Sequence, residues 1–227
     1  MAASGRHCYI AIDEFQQIAS YPEEGTEALL RSYIQFLPNV RFIFAGSSQH
    51  LMTEMFMSAK RPFYQSTQLM VLAEIDEELY YQFAKNFFKQ KGHRLNKSVF
   101  NSIYMRFEGH TWYVQALLNR LYEQDESIVD ISQAEQALRG ILEENTPVYQ
   151  NLILLLTDNQ FALMQAIARE IKVQAPNSGE FILGHGLKTP SSVNVALKSL
   201  VEKELVYKSA DGYMVYDRFM GMWLLQN

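Results

Sequence analysis

Short, continuous apolar runs alternate with helix-like segments in the first third of the chain. Residues 7–12, 40–45 and 68–72 are rich in β-branched and aromatic side chains, which favours strands. Between them, apolar residues recur at three- and four-residue spacing in residues 26–37 and 51–57, which predicts helices. Strands that lack polar alternation are typical of a parallel sheet covered on both faces. This third of the chain is therefore predicted to be α/β.

The remaining two thirds have mainly helical spacing. In residues 79–147 aromatic and aliphatic residues recur every three or four positions, which predicts a small helical bundle that includes a helix over residues 131–142. Further along, Thr189 is a suitable N-cap for a helix that starts at Pro190. Two apolar runs, 205–208 and 213–216, then flank an Asp-Gly turn. Helices followed by such a hairpin predict a winged helix-turn-helix.

Composition narrows the class of protein. The 227 residues are 48% hydrophobic and 20% charged, which is typical of a globular protein of one to three domains. The net charge is −5, with about twice as many acidic as basic residues before position 79, and no segment has the basic excess of a large nucleic-acid footprint. Cys8 is the only cysteine, and neither a signal peptide nor an 18-residue apolar run is present, so a cytoplasmic location is expected.

Polar residues follow the first two predicted strands at their carboxyl ends. Asp13 and Glu14 end the first apolar run, where one acid is suited to hold Mg²⁺ and the next to polarise an attacking water. Ser47 and Ser48 follow the second, where a hydroxyl can contact a γ-phosphate. Sequential strands are usually neighbours, so these ends are expected to lie together. Helix capping by the acids and serines is the structural alternative.

A basic residue precedes the third predicted strand. Arg61 lies in the run Lys-Arg-Pro-Phe-Tyr, and an arginine near a nucleotide can stabilise charge on the transferring phosphoryl group. The alternative is a surface arginine ahead of a proline turn.

These motifs together resemble a known family. Asp-Glu-Phe-Gln from Asp13, Phe-Ala-Gly-Ser-Ser from Phe44 and Arg-Pro-Phe-Tyr from Arg61 resemble the archaeal-type ATPase family of the STAND/AAA+ NTPases. The resemblance implies a P-loop NTPase core in residues 1–78, a helical lid in 79–147 and a winged-helix domain in 148–227. It assigns Walker B roles to Asp13 (metal) and Glu14 (catalysis), and a sensor-1 role to Ser47 or Ser48.

The resemblance extends into the lid. Gly109 and Thr111 resemble the family's Gly-x-Pro element near the nucleotide, although Thr111 replaces the usual proline. For the parent protein the implied cofactors are ATP and Mg²⁺, and the implied activity is ATP hydrolysis coupled to a conformational switch.

The family's phosphate-binding loop, G-x-x-x-x-G-K-[ST], does not occur in this sequence. We therefore interpret the chain as a C-terminal portion of such an ATPase, and expect it to bind no cofactor and to hydrolyse ATP negligibly. In the family the strand before that loop lies between the sensor-1 strand and the last strand. Without it, residues 40–45 and 68–72 are expected to expose unpaired edges and to favour collapse, strand exchange or dimerisation.

Two roles are open for the winged helix. Ser191, Asn194, Lys198, Lys203 and Lys208 are predicted to be exposed, where they could contact DNA. Acidic and basic residues are equally numerous after position 147, so we expect packing against the lid or binding of a protein partner instead. The functional alternative is a DNA-binding regulator with an N-terminal dimerisation scaffold.

Overall fold

The computed structural model describes residues 7–124 and 128–226. The chain divides into two compact units, Met1–Ala73 and Glu74–Asn227. The elements of the N-terminal unit are β1 (Cys8–Ile12), a 3-10 helix (Phe15–Ser20), α1 (Thr26–Ile34), β2 (Val40–Phe44) and α2 (Gln49–Met57).

The two strands of the N-terminal unit form a parallel pair, as their sequence pattern predicts. Ile10 lies opposite Phe42 in the register. One face of the pair is half-buried, whereas the other exposes Tyr9 and Ile43 to solvent. A parallel sheet is ordinarily covered on both faces, so this unit has an uncovered face.

The predicted strand at residues 68–72 is wrong. These residues form neither helix nor strand, and the apolar side chains of Leu69, Met70, Val71 and Leu72 are exposed. A strand exists only through hydrogen bonds to a neighbour, and within the described residues β2 pairs with β1 alone. The expected unpaired edge of β2 is therefore present.

Aromatic side chains form the core of the N-terminal unit. The buried members are Phe15, Phe56 and Phe63, together with Met55. Phe44 of β2 packs against them, with its ring centroid 4.2 Å from that of Phe15. This cluster fixes the start of the 3-10 helix directly behind the end of β1.

The C-terminal unit begins with helices that share one apolar core with the winged helix. The predicted helix at residues 131–142 is longer than expected, because it continues through Pro147 to Leu154. The elements before the winged helix are α3 (Glu77–Gln90), β3 (Arg94–Leu95), α4 (Lys97–Arg106), α5 (Thr111–Glu123), β4 (Ile128–Val129) and α6 (Ile131–Leu154).

The winged helix-turn-helix is present as predicted. Thr189 accepts a hydrogen bond from Ser192 N and forms a capping box, with Pro190 at the first helical position. Gly212 has φ +128°, and a Cβ there would lie 2.7 Å from the carbonyl of Val173. The elements are α7 (Asp158–Glu170), α8 (Gly179–Gly184), α9 (Pro190–Glu202), β5 (Val206–Ser209), β6 (Gly212–Val215) and α10 (Arg218–Leu224).

Among the described residues, no helix is long and apolar enough to cross a membrane.

Candidate functional site

The carboxyl ends of β1 and β2 lie side by side, as predicted. The ladder of hydrogen bonds continues past both strands: Ala45 N donates to Ile12 O, and Phe15 N donates to Ala45 O, each at 2.9 Å. Because each strand end is tied to the other, the polar residues that follow them are brought to one edge of the sheet.

Glu14 is the centre of the polar cluster at this edge. Its Oε2 accepts a hydrogen bond of 2.9 Å from Ser47 Oγ and a second from Gln16 Nε2. The backbone of Glu14 is left-handed, with φ 48° and ψ 40°, a conformation that is uncommon outside glycine and frequent at functional sites. The Glu14 carboxylate stays exposed to solvent and is aimed across the strand ends.

Asp13 is exposed beside Glu14. Its Oδ1 accepts a hydrogen bond of 2.9 Å from Glu14 N, which leaves Oδ2 available. No group of three His, Cys, Asp or Glu side chains that could hold a metal occurs within residues 7–124 and 128–226. This donor set suits Mg²⁺, which is typically bound by one or two carboxylates together with water and substrate phosphates.

Gln16 is a site residue that the sequence analysis did not single out. Its side chain is buried, with 5% exposed, and Nε2 also lies 3.4 Å from Ser47 Oγ. Its Oε1 is buried without a hydrogen-bond partner among the described atoms. The sequence feature that could have identified Gln16 is its position in the Asp-Glu-Phe-Gln run. The first turn of the 3-10 helix brings the Gln16 side chain back towards Glu14.

Because Gly46 has no side chain, the side chains of Gln16 and Met52 can lie close to its backbone. A Cβ at this position would lie 2.7 Å from Met52 Sδ and would also collide with Gln16 Oε1. Any side chain here would displace Gln16, which holds Glu14. The glycine therefore belongs to the construction of the site.

Ser48 lies beside the cluster rather than in it. It occupies the N-cap position of α2, where its carbonyl accepts from Met52 N at 2.9 Å, but its side chain makes no cap hydrogen bond. Of the two candidate serines, only Ser47 contacts Glu14.

Arg61 forms an ion pair within the N-terminal unit. Its Nη2 lies 2.6 Å from Glu27 Oε1, and its Nη1 lies 4.0 Å from Glu54 Oε1. Burial raises the pKa of the Glu27 carboxyl, and the Arg61 charge acts in the opposite direction. A buried carboxylate needs such a partner, so this contact gives Arg61 a structural role.

Gly109 and Thr111 shape the turn between α4 and α5. Gly109 has φ +73°, and a Cβ there would lie 2.7 Å from Tyr104 Oη, so glycine is required for the fold. Thr111 is exposed at the first position of α5, where it lines an apolar groove of about 760 Å³ with Leu79 and Phe83 of α3. Neither residue makes a contact that by itself identifies a ligand.

The winged helix packs directly on the helices that precede it. Phe219 of α10 lies between two of their aromatic rings, with ring centroids 5.4 Å from Phe107 and 5.1 Å from Tyr113. Trp223 Nε1 donates to Thr146 Oγ1 at 2.9 Å, and Tyr149 Oη donates to Asp217 Oδ2 at 3.1 Å within residues 148–227. The winged helix therefore packs against the helical segment that the sequence analysis interpreted as a lid.

The face of α9 that would approach DNA is nevertheless uncovered. Ser191, Asn194 and Lys198 are exposed as predicted, and so are Lys203 and Lys208. Lys198 lies 3.8 Å from Glu202, so part of this charge is already balanced.

Comparisons with known proteins agree with this architecture. Residues 147–226 match the model of a probable winged helix domain. A Walker-type ATPase of Pyrococcus abyssi superposes with a TM-score of 0.65 and 18% identity, over 96% of this chain and 63% of its own. The RuvB Holliday junction branch migration motor of Thermotoga maritima gives a TM-score of 0.49 and 13% identity, over 91% and 66%. No curated protein sequence matched.

The chain thus shares its fold with the Walker-type ATPase over most of its length: a small parallel sheet, a helical middle and a C-terminal winged helix. It spans 63% of the length of the Pyrococcus ATPase.

Proposed function

We propose that the edge formed by Asp13, Glu14 and Ser47 is the acidic half of a site for a magnesium-bound nucleoside triphosphate. The observation that carries this proposal is the hydrogen bond between Ser47 Oγ and Glu14 Oε2, which joins the carboxyl ends of adjacent parallel strands. Ligands of α/β sheets bind at this edge. The AAA+-like fold and its likeness to a Walker-type ATPase support ATP as the nucleotide.

Each residue has a distinct role in this proposal. Asp13 would hold Mg²⁺ through Oδ2, the carboxylate oxygen that Glu14 N leaves available, and the ion would supply charge neutralisation for the phosphates. Glu14 accepts a proton from, or orients, the attacking water. Ser47 donates to Glu14 before nucleotide binds, and its hydroxyl is placed to exchange that partner for a phosphate oxygen. Gln16 holds the Glu14 carboxylate in position from the buried side.

The residues present are one half of such a site. The sequence contains no G-x-x-x-x-G-K-[ST] loop, whose backbone amides and lysine hold the phosphates in P-loop enzymes. We therefore propose that this chain hydrolyses ATP negligibly by itself, and that the ATP-driven switch belongs to an assembly that supplies the loop. Measurable turnover by the purified chain that Glu14→Gln abolishes would contradict this statement.

Equilibrium dialysis with radiolabelled ATP tests the metal role. Although the missing loop led us to expect no bound cofactor, the paired strand ends favour residual binding. We expect a dissociation constant of about 1 mM that requires Mg²⁺, and loss of this binding in Asp13→Asn. Asp158→Asn, which removes the same charge from an exposed residue of α7, is the matched control and is expected to bind like the parent. Binding that is independent of Mg²⁺, or equal in the two variants, would overturn the assignment.

For the winged helix we propose a packing role, because α10 is anchored to the preceding helices by Phe219 and Trp223. The DNA-binding alternative is favoured by the exposed face of α9. A mobility-shift assay with duplex DNA across a salt series separates the two. We expect no binding tighter than nonspecific levels, about 10⁻⁴–10⁻⁶ M. Tight binding that weakens steeply with salt and is lost in Lys198→Glu would favour DNA.

A further inference from the structure

The N-terminal unit contains a strand edge that could accept a further strand and a segment that could supply one. Among the described residues, neither of them is paired. The acceptor is the outer edge of β2. Cys8 N donates to Asn39 O and Ala45 N donates to Ile12 O, so the odd-numbered residues of this segment face β1. The backbone groups of Phe42 therefore point away from β1, along an edge that has no neighbour among the described residues.

The donor is the segment 68–72, Gln-Leu-Met-Val-Leu. Met70 is 81% exposed and Leu72 is 86% exposed, and neither helix nor strand forms here. The segment is tethered at its start by Ser66, whose N donates to Phe63 O at 3.1 Å. Its composition favours strand formation, and only a partner is missing.

We propose that two copies of this chain form a dimer in which the 68–72 segment of each copy pairs with the outer edge of β2 in the other. One chain supplies both a donor and an acceptor, so a two-fold arrangement satisfies both pairings at once. The pairing also places alternate side chains of each donor beside the half-buried face of β1 and β2.

Charge favours the antiparallel orientation of this pairing. Arg41 is exposed on β2, its guanidinium donates to Pro38 O at 3.1 Å, and none of the carboxylates the structure describes lies within ion-pair distance of it. When the donor runs antiparallel to β2, the acidic residues that follow Leu72 come to the Arg41 end. Glu74 is the first of them, and it is exposed.

We expect the dimer to be weak. A five-residue strand is about 17 Å long, so two such pairings bury less than the roughly 1,200 Å² at the lower limit of standard stable interfaces. We therefore expect the dimer to have a dissociation constant in the micromolar range. The proposal is independent of the nucleotide site, because it uses none of that site's side chains and its test contains no nucleotide.

Sedimentation equilibrium of the full chain, without nucleotide, tests the proposal. We expect a reversible monomer–dimer equilibrium whose dissociation constant rises at least tenfold in Met70→Lys/Leu72→Lys. The matched control is Leu154→Lys/Leu183→Lys, because those residues are 81% and 84% exposed in the other unit. A monomer at 100 µM (about a hundred times a dissociation constant of 1 µM), or an equal effect of both double variants, would overturn the proposal.

Charge reversal and hydrogen exchange test the register. Arg41→Glu is expected to weaken the dimer, and adding Glu74→Arg is expected to restore it. The Phe42 amide should exchange at least tenfold faster in Met70→Lys/Leu72→Lys than in the parent chain, while the Ile10 amide, which faces β2, stays protected. Failure of the reversal to restore association, or a Phe42 amide that exchanges equally fast in both chains, would contradict pairing at this edge.

Discussion

Ser47 Oγ lies 2.9 Å from Glu14 Oε2, and this hydrogen bond joins residues 33 positions apart in the sequence. It exists because β1 and β2 are parallel neighbours that end at the same level. The exposed carboxylate is held on its other side by buried Gln16. An exposed carboxylate held by two neutral donors is the relationship on which the proposed nucleotide role depends.

Gly46→Ala tests how tightly this site is built. The added methyl group would meet Met52 Sδ and Gln16 Oε1, so we expect the free energy of unfolding of the N-terminal unit to fall by about 1–3 kcal/mol in chemical denaturation. Gly140→Ala is the control. It lies inside α6 with no atom near the new methyl group, and a gain of about 0.5–1 kcal/mol is expected there. If Gly46→Ala left the free energy of unfolding unchanged, that result would contradict the packing described for Gly46.

Arg61→Met tests whether the arginine is structural. It leaves the buried Glu27 carboxylate without its 2.6 Å partner. Breaking a fully buried pair costs about 3–5 kcal/mol, and since the Arg61 side chain is partly exposed we expect about 1–3 kcal/mol from the N-terminal unit. The double variant Arg61→Met/Glu27→Leu should recover most of that loss. An unchanged denaturation midpoint in the single variant would leave Arg61 free for a nucleotide.

Glu108→Gln should destabilise the C-terminal unit in a pH-dependent way. Hydrogen bonds from Lys172 and from Arg218 hold the pKa of the Glu108 carboxyl below its ordinary value, against the effect of burial. A depressed pKa contributes stability above the unfolded-state pKa of about 4.3, and the contribution disappears as pH falls through the folded-state value.

Thermal unfolding of both proteins across pH checks this expectation. Because the Glu108 side chain is 42% exposed, solvent screening limits the loss at pH 7 to at most about 1 kcal/mol. The two curves should converge as pH falls through the lowered pKa of Glu108. Glu202→Gln, at a single exposed pair with Lys198, is the control and should change less. If the stability difference between the parent chain and Glu108→Gln persisted at low pH, the ion pairs of Glu108 would not be its cause.

Phe219→Ala tests whether the winged helix and the helices of residues 79–147, interpreted above as a lid, are one cooperative body. Phe219 is buried against Phe107 and Tyr113, so its truncation should cost about 3–5 kcal/mol. Trp112 lies in the lid and Trp223 in α10, and their fluorescence should report one shared, lowered midpoint. Val195→Ala, on the exposed face of α9, should stay within about 0.5 kcal/mol of the parent. Two separate transitions in the parent chain would contradict this coupling.

Local pattern was sufficient for much of the fold. Apolar runs predicted β1 and β2, and the neighbour rule placed Glu14 near Ser47. Thr189 and the Asp-Gly turn likewise predicted the winged helix, because caps and turns are chosen by nearby residues. These features depend on short-range chemistry that a single sequence displays.

The failures depended on distant partners. Residues 68–72 have strand composition, yet a strand requires a neighbouring edge, which composition does not supply. Gln16 was missed because its role comes from Ser47, 31 positions away. The ion pair of Arg61 with Glu27, 34 positions earlier, was likewise not visible in the sequence, and the contact of Arg61 with a phosphate stays a prediction. The helix predicted over residues 131–142 was too short, because it continues through Pro147 to Leu154.

Paramagnetic broadening of amide NMR signals by Mn²⁺ with ATP tests the nucleotide site most directly, because it reports where the metal lies without requiring turnover. The account predicts that the signals of Asp13, Glu14 and Ser47 broaden first, and that Asp13→Asn abolishes the effect while Asp158→Asn preserves it. Broadening that begins elsewhere in the chain, or that survives Asp13→Asn unchanged, would contradict it.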